Sequence, residues 1–310
     1  MFLDFILIVL LGFLILLLAV PEGKQEPLIE NFSFVKNVYG NIFDFFYVPI
    51  YDEMFSNVKR TGDELGYLMT FLSNSKQRNR RILDIGSGTG RHAVGLSNLG
   101  MEVVGIEKSV AMIQYAEDKV VPRHLLEERA PPTFIHANAL KRNIFPKGSF
   151  SHVTCMFFTI YYFKNKIQLI ENIKYWLADN GFFILHLVDP LNFDPVLEYA
   201  SPHPFFSIQK YSRERVRKSS VVYDNFIYNT EFNYNPKVSK FTETFMFKNK
   251  QQPPRRQEHS LYLEPVKRIV DKMNSKGFIT ISHNNMIKQG HEYNYIYFFQ
   301  KKSIIDPEIF

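Results

Sequence analysis

The chain has 310 residues, of which 45% are hydrophobic and 22% charged, and this is the profile of a packed globular protein. Its formal net charge of +6 is spread thinly along the sequence, so the composition disfavours a nucleic-acid partner. The single cysteine, Cys155, excludes an intrachain disulfide and a cysteine-based zinc site, and we predict no metal site. Because Cys155 lies in the apolar run VTCMFF, a buried packing role is favoured over that of a nucleophile.

The first twenty residues are apolar except for Asp4. As a helix they would span roughly 30 Å, which is the thickness of the hydrocarbon core of a bilayer. A cleaved signal peptide would need a basic start and small residues at a cleavage site, whereas the start of this segment carries Asp4 and no Lys or Arg, and its apolar run is longer than that of a usual signal peptide. We therefore predict a single-pass transmembrane anchor at 1–20 and a linker at 21–31. A weak excess of Lys and Arg after the anchor favours a body on the cytoplasmic side.

The middle of the chain alternates regularly between two kinds of segment. Residues 32–75 are expected to be helical, and short apolar strands then alternate with helices up to Asp189. The predicted strands are 82–85, 102–107, 133–138, 152–158 and 182–189. Apolar strands that lack period-two alternation and are separated by helices indicate a parallel sheet covered on both faces.

The pattern changes after Asp189. Residues 190–262 contain several β-like runs separated by turn residues, which predicts an antiparallel insertion built onto the core sheet. A helix at 265–277 and two closing strands complete the body at residue 302, and 303–310 form a tail.

The stretch DIGSGTG, from Asp84 to Gly90, lies where the first of these strands gives way to a helix. Its glycines at 86, 88 and 90 allow a tight turn and a close approach to a ligand, with amides directed outward at the helix start. In dinucleotide binders the third glycine would fall at Arg91, so the spacing differs from theirs. No Lys-Ser/Thr pair follows, which excludes a P-loop.

A second mark is Glu107, which ends the strand EVVGIE. A carboxylate at this point can accept hydrogen bonds from both hydroxyls of a ribose. Dinucleotide enzymes also use an acid there, so Glu107 indicates a ligand that contains ribose without choosing among such ligands.

RILDIGSGTGRHAVGLSNLG closely resembles the first motif of the class I S-adenosylmethionine methyltransferases, (D/E)-x-G-x-G-x-G. EKSVAMIQYA, FPKGSFSHVTCMFF and LADNGFFILHL resemble further segments of that family, with Asn180 in place of a glycine. The resemblance covers about 45–190 and 265–302. It implies an α/β fold with a doubly wound, mostly parallel, seven-stranded Rossmann-like sheet over 32–302. The antiparallel insertion of 190–262 then follows strand five on the substrate side, and the anchor adds a transmembrane helix.

The resemblance implies S-adenosyl-L-methionine as the cofactor and assigns residues to it. In the family pattern Lys108 lies beside the adenine, Asn138 can accept from the adenine amino group, and backbone near Met156 covers the methionine part. Tyr51 would cover the methionine end as part of a lid, or would only pack its helix on the sheet. The implied cofactor-binding residues are Tyr51, Asp84, Gly86, Ser87, Gly88, Gly90, Glu107, Lys108, Asn138, Ala139 and Met156.

No catalytic residue follows from the sequence, because a sulfonium is already an activated methyl donor and needs chiefly an aligned nucleophile. Each acceptor-side candidate also has a packing or capping explanation. These candidates are Tyr161, Tyr162, His186, Asp189, His259 and Tyr262.

The predicted function is that of a membrane-anchored S-adenosylmethionine-dependent methyltransferase acting on a small molecule or lipid. An apolar acceptor is favoured by the aromatic residues of the insertion, namely Tyr223, Phe226, Phe245 and Tyr262, and a soluble metabolite is the alternative. Two other classes stay open: a catalytically inactive methyltransferase-fold scaffold or binding protein, and a Rossmann NAD(P) oxidoreductase. The oligomeric state and the atom methylated do not follow from the sequence.

Overall fold

The computed structural model describes residues 33–36, 42–55, 58–74, 80–193 and 215–302. The predicted anchor at 1–20, linker at 21–31 and tail at 303–310 lie outside the described residues. Within the described ranges, no helix has both the length and the apolar character needed to cross a membrane.

The described part of the chain contains two β-sheets and the helices that pack on them. The strands are β1 (Ser33–Lys36), β2 (Arg81–Ile85), β3 (Glu102–Glu107), β4 (Thr133–His136), β5 (Phe150–Cys155), β6 (Leu177–Val188), β7 (Lys218–Val222), β8 (Phe226–Asn233), β9 (Ser239–Phe247), β10 (Arg255–Leu261), β11 (Phe278–Asn285) and β12 (Asn294–Lys301). The α-helices are α1 (Tyr47–Phe55), α2 (Val58–Asn74), α3 (Arg91–Asn98), α4 (Val110–Tyr115), α5 (Val121–His124), α6 (Lys166–Trp176) and α7 (Val266–Ser275). A π-helical turn, Ala116–Val120, joins α4 to α5.

The core sheet has the strand order β11-β12-β6-β5-β2-β3-β4. Strands β2 to β6 run parallel to one another, whereas β12 is antiparallel to both β6 and β11. These seven strands of the described chain confirm the doubly wound, mostly parallel sheet that the sequence predicts.

Adjacent residues of β2 pack on opposite faces of the core sheet. Ile82 lies in one hydrophobic cluster with Leu68 of α2 and Leu96 of α3. Leu83 lies in another with Leu169 of α6. Each such side chain, when fully buried, stabilises the fold by roughly 1.5–3 kcal/mol. Burial on both faces explains why the strands read as continuous apolar runs without alternation.

The insertion does not extend the core sheet, and that part of the prediction is wrong. Strands β7 to β10 form a separate antiparallel meander, and β1 pairs with β10 in parallel to complete a second sheet, ordered β1-β10-β9-β8-β7. The predicted helix over 32–75 is likewise wrong at Ser33–Lys36, which is extended. The pairing of β1 with a strand more than two hundred residues away leaves no local signal in the sequence.

Two sets of hydrogen bonds join the end of β10 to the core. The amide of Tyr262 donates to the carbonyl oxygen of Tyr161 at 2.8 Å. The buried ammonium of Lys166 donates to the carbonyl oxygens of Tyr262 and Phe163 at 2.8 and 2.9 Å. Burial lowers the pKa of Lys166 to about 8. Since Tyr161 lies in the turn after β5, the second sheet stands at the carboxyl edge of the core sheet.

Several local predictions can be compared with the backbone directly. Asn180 adopts a left-handed conformation with φ of 59°, as expected of an asparagine that replaces glycine. Cys155 is fully buried, in agreement with a packing role. The predicted strand 152–158 instead ends at Cys155, because Phe157 turns the chain with φ of 51°.

Candidate active site

The glycine loop between β2 and α3 is held against β3 by its own backbone. The amides of Gly86 and Ser87 both donate to the carbonyl oxygen of Ile106, at 2.8 and 3.2 Å. Gly86, Gly88 and Gly90 have φ angles of 64°, 56° and 80°, which non-glycine residues rarely adopt. This confirms the tight turn predicted from the spacing.

The three glycines differ in what surrounds them. A Cβ on Gly86 would lie 2.5 Å from Cγ2 of Thr159, and one on Gly90 would lie 2.6 Å from Cζ of Phe134. A Cβ on Gly88 would meet no heavy atom within 4 Å. Packing therefore requires glycine at 86 and 90, whereas Gly88 borders open space of the kind that a bound ligand fills.

Glu107 lies directly beside that space. Its carboxylate accepts hydrogen bonds from the amides of Gly88, Lys108 and Ser109 at 3.1, 2.7 and 2.8 Å. Burial raises the pKa of Glu107, and these backbone hydrogen bonds partly offset the effect. The three backbone amides occupy three of the roughly four lone-pair positions of the carboxylate, so Oε2 can still accept a hydrogen bond from a ribose hydroxyl.

Asp84 and Ser87 support the loop from the inside. Asp84 is buried and accepts from Oγ1 of Thr154 at 2.7 Å, and burial raises its pKa to about 6. The Oγ of Ser87 lies 2.7 Å from the position that a Cβ on Gly105 would occupy, so it faces β3. These two side chains therefore support the loop through contacts with β5 and β3.

The remaining predicted cofactor residues occupy varied positions. Lys108 is exposed, whereas Ala139 and Met156 are buried in the hydrophobic clusters. Oδ1 of Asn138 accepts from the amide of Leu140 at 3.0 Å, which stabilises the turn after β4. A carbonyl oxygen has two lone pairs, so Oδ1 of Asn138 can accept a second hydrogen bond.

Tyr51 lies on α1, the helix that packs over the glycine loop. Its ring is 5.7 Å from that of Phe43 in an edge-on arrangement. Burial raises the pKa of Tyr51, and the nearby carboxylates of Glu107, Asp52 and Glu243 raise it further. The structure thus brings Tyr51 close to Glu107 and to the second sheet, as a lid residue would be.

Among the acceptor-side candidates, the structure brings Tyr162 and His259 together. The Tyr162 hydroxyl lies 2.8 Å from Nδ1 of His259, across the junction between the turn after β5 and the second sheet. The neighbouring Tyr161 is fully buried, and its hydroxyl bonds the backbone of Val188. Tyr161 therefore packs, whereas Tyr162 reaches the site.

Two other candidates have structural roles. His186 is fully buried, its Nδ1 lies 2.5 Å from the carbonyl oxygen of Phe157, and burial lowers its pKa to about 4. Asp189 accepts from the amide of Leu191 and from Nδ2 of Asn192, both at 2.9 Å. Asp189 is accordingly a cap at the end of β6.

The sequence reading missed a buried ionic cluster behind the glycine loop. Glu64 accepts from Nε of Arg60 at 3.1 Å and lies 2.7 Å from Nε2 of His92. Burial opposes ionisation of Glu64, but the charge of Arg60 and the hydrogen bond with His92 outweigh it and lower the pKa. Arg60 also stacks on the ring of Phe157 at 4.7 Å. The i, i+4 spacing of Arg60 and Glu64 was the local signal available.

Residues 83–185, from the glycine loop through most of β6, match the family model of a methyltransferase domain. This match identifies a methyltransferase domain, and the similarity supports the class I S-adenosylmethionine-dependent methyltransferase superfamily. S-adenosylmethionine is its cofactor, and the loop and carboxylate described above fit that molecule.

One curated relative matches part of this chain. The chain is 27% identical over 128 residues to YqeM of Bacillus subtilis, which carries a provisional methyltransferase name. That match covers 41% of this chain and 47% of YqeM, so the chain spans about half the length of this relative.

Solved structures extend the similarity to most of the fold. An S-adenosylmethionine-dependent methyltransferase from Clostridium acetobutylicum superimposes with a TM-score of 0.61 at 13% identity, over 83% of this chain and 98% of that one. An amino pentose methyltransferase from Micromonospora echinaspora gives 0.57 at 15% identity, over 82% and 97%. At this level of identity, the likeness shows a shared methyltransferase fold.

Proposed function

We propose that this protein transfers the methyl group of S-adenosylmethionine to a small-molecule acceptor held between the glycine loop and the second sheet. One observation carries the proposal: the short turn after β5 contacts both the glycine loop and the second sheet. Its Thr159 packs against Gly86 of the loop, and its Tyr162 contacts His259 of β10 at 2.8 Å. An acceptor bound along this turn would lie between the cofactor and the insertion.

The cofactor, when bound, supplies a methyl group already activated by the positive charge on sulfur. We assign its ribose to Glu107 and its path past the loop to the open space at Gly88. Asn138 would accept from the adenine, and Tyr51 would cover the methionine end. The protein then has to orient the acceptor and to exclude water, which brings reacting atoms to about 3–3.5 Å.

The walls of the proposed acceptor site are largely aromatic. The ring of Phe43 lies 5.7 Å from Tyr51, 5.9 Å from Tyr162 and 5.7 Å from His259. Such walls suit a compact molecule with apolar surface and few polar groups. The amino pentose methyltransferase and a sugar N-methyltransferase from Streptoalloteichus, which share this fold, are named for small acceptors.

A lipid acceptor is a second candidate, and the apolar segment 1–20 favours it. A membrane anchor would raise the local concentration of lipids and hydrophobic molecules near the site. On this proposal the protein is single-pass, with the catalytic domain on the cytoplasmic side.

The two candidates separate in a labelling experiment with the full-length protein. We would incubate it with methyl-tritiated S-adenosylmethionine and a cell extract divided into soluble small-molecule and lipid fractions. Gly88→Val is the control, since it should block the cofactor space. Label in the soluble fraction supports a metabolite, and label in the lipid fraction supports a lipid. If neither fraction is labelled above the Gly88→Val control, the proposed activity is wrong.

The anchor is tested separately, by flotation of the full-length protein with phospholipid vesicles. Leu10→Arg combined with Leu16→Arg places two charges in the apolar segment, each costing about 2.5–3.5 kcal/mol at the centre of a bilayer. The unchanged protein should float with the vesicles, and the double variant should stay in the soluble fraction. Flotation of both forms, or of neither, contradicts the anchor.

A further inference from the structure

A fully buried carboxylate, Glu243, lies at the centre of the second sheet. Its Oε1 accepts from the hydroxyls of Tyr47 and Tyr228 at 2.7 and 2.5 Å. Its Oε2 lies 2.6 Å from Nε2 of Gln257 and 2.6 Å from Nε2 of His259. Burial raises the pKa of Glu243, but the interaction with His259 and the hydrogen bonds from Gln257 and Tyr228 outweigh that effect and lower it. Four donors converge on the two oxygens, and this convergence stabilises Glu243 as a buried anion.

An ionised Glu243 determines which nitrogen of His259 carries a proton. Since a carboxylate can only accept, Nε2 of His259 must be the donor in their 2.6 Å contact. In the neutral ring Nδ1 is then an acceptor, and the hydroxyl 2.8 Å away on Tyr162 donates to it. The three side chains form a directional chain of hydrogen bonds that runs from Tyr162 to Glu243.

The open end of this chain lies beside the proposed cofactor site. Tyr162 is half-buried, and its ring lies 5.9 Å from that of Phe43. The carbonyl oxygen of Phe43 accepts from the hydroxyl of Ser109 at 2.5 Å, and the amide of Ser109 donates to Glu107 at 2.8 Å. Phe43 thus links the ribose-side carboxylate to the phenol of Tyr162 through direct contacts.

We propose that Tyr162, His259 and Glu243 form a proton relay that deprotonates the methyl acceptor. This inference rests on the proposed function and deepens it. The methyl bond to sulfur breaks as the bond to the acceptor nitrogen or oxygen forms. The acceptor's proton passes to the oxygen of Tyr162, whose own proton passes to Nδ1 of His259. Glu243 stabilises the resulting imidazolium, which later releases the proton to water.

The relay specifies the chemistry of the acceptor. A base is useful only where the attacking atom carries a proton at neutral pH, as an ammonium nitrogen or a hydroxyl oxygen does. A thioether has no such proton. The acceptor should therefore be an amine or a hydroxyl compound, bound with that group against Tyr162.

Tyr162→Phe is the main test, because it removes one oxygen atom and leaves the ring in place. Proton transfer by a positioned side chain contributes about 10²–10⁴-fold, so kcat should fall at least 100-fold with the dissociation constant for S-adenosylhomocysteine unchanged. His259→Gln should give a similar loss. Tyr161→Phe is the matched control: it removes a buried hydroxyl one residue away, should lower Tm, and should keep kcat within about threefold.

The pH profile distinguishes a relay from a structural network. If His259 receives the acceptor's proton, a pH-dependent limb in the turnover of the wild type should disappear in His259→Gln. The groups that face His259 are Glu243 from β9, Tyr162 from the turn, and Tyr47 from α1. Full turnover with an unchanged limb in Tyr162→Phe would overturn the relay.

A second measurement needs no acceptor. In ¹⁵N-labelled full-length protein with S-adenosylhomocysteine, neutral His259 should show a pyrrole-type Nε2 and a pyridine-type Nδ1. Tyr162→Phe should shift the Nδ1 signal, and Tyr161→Phe should not. A neutral ring protonated on Nδ1 would refute the relay whatever the enzyme methylates. Correct nitrogen signals without any methyl transfer would instead contradict the proposed function.

Discussion

Asp52 of α1 and Arg91 of α3 form a two-point ion pair. Nε and Nη2 of Arg91 donate to Oδ1 and Oδ2 of Asp52 at 2.8 and 2.6 Å, and the hydroxyl of Thr89 donates to Oδ1 at 2.7 Å. Asp52 is buried and Arg91 is mostly buried. Because Thr89 and Arg91 flank Gly90, this contact fastens the helix that carries Tyr51 directly to the glycine loop.

Asp52→Asn should loosen that helix. It leaves the Arg91 guanidinium without its counter-charge, and breaking such a buried pair costs about 3 kcal/mol. The free energy of unfolding should fall by that order, and affinity for S-adenosylhomocysteine should fall with it. Asp271→Asn is the control, since its pair with Lys267 is exposed and contributes less than about 1 kcal/mol. If the two variants unfold at the same urea concentration, the ion pair between Asp52 and Arg91 does not stabilise the protein as proposed.

Gly88→Val should abolish binding of S-adenosylhomocysteine while the protein stays folded. The branched side chain would enter the open space beside Gly88, where a Cβ would meet no heavy atom within 4 Å. Gly290→Val is matched to it, because Gly290 also has a positive φ and open surroundings but lies in the turn before β12. Both variants should lose about 1–2 kcal/mol from left-handed strain. Calorimetry that detects equal binding in both would refute the assignment of Gly88.

Glu107→Gln should weaken binding of S-adenosylhomocysteine. The amide keeps one acceptor oxygen but loses the charge, and hydrogen bonds to a charged group contribute about 1.5–3 kcal/mol, or roughly 10- to 150-fold in affinity. Glu102→Gln, at the other end of β3, should bind normally because its side chain pairs with Arg81 on the surface. An unchanged dissociation constant for Glu107→Gln would exclude a ribose contact.

Asp84 should make stability depend on pH in a defined direction. Burial raises its pKa from 3.8 to about 6, so its contribution to stability is present below pH 3.8 and is lost as pH rises through 6. Asp84→Asn should therefore become more stable relative to wild type between pH 4 and 6, by up to about 3 kcal/mol. Asp118→Asn, at an exposed position, is the control for the loss of one carboxylate from the surface. If the difference in stability between Asp84→Asn and the wild type does not change with pH, the pKa of the Asp84 carboxyl is not raised by folding.

The glycine loop and Glu107 were predictable because their chemistry depends on residues close together in sequence. Gly86, Gly88 and Gly90 are needed for a turn that a few residues make, and Glu107 acts from the end of a single strand. The sequence could not tell which glycine faces the ligand, since that depends on Thr159 and Phe134 from distant elements.

The strand pairing of the second sheet could not be predicted from the sequence pattern. Its runs of β-forming residues were recognised, yet they were assigned to the core sheet, because strand patterns do not state which edge a strand will pair with. The parallel pairing of β1 with β10 joins segments more than two hundred residues apart. In FTETF, Glu243 shares one face of its strand with two Phe residues, which is a local sign of an acid that faces inward.

By itself, the sequence determined the methyltransferase fold and the cofactor loop, because apolar periodicity and glycine spacing act over a few residues at a time. Only the tertiary structure decided how the acceptor side is built. Tyr162, Glu243 and His259 come from three separate elements, and their hydrogen bonds exist only once the second sheet has packed against the turn after β5. A buried carboxylate is tolerated only where donors converge on it, and that convergence is a property of packing.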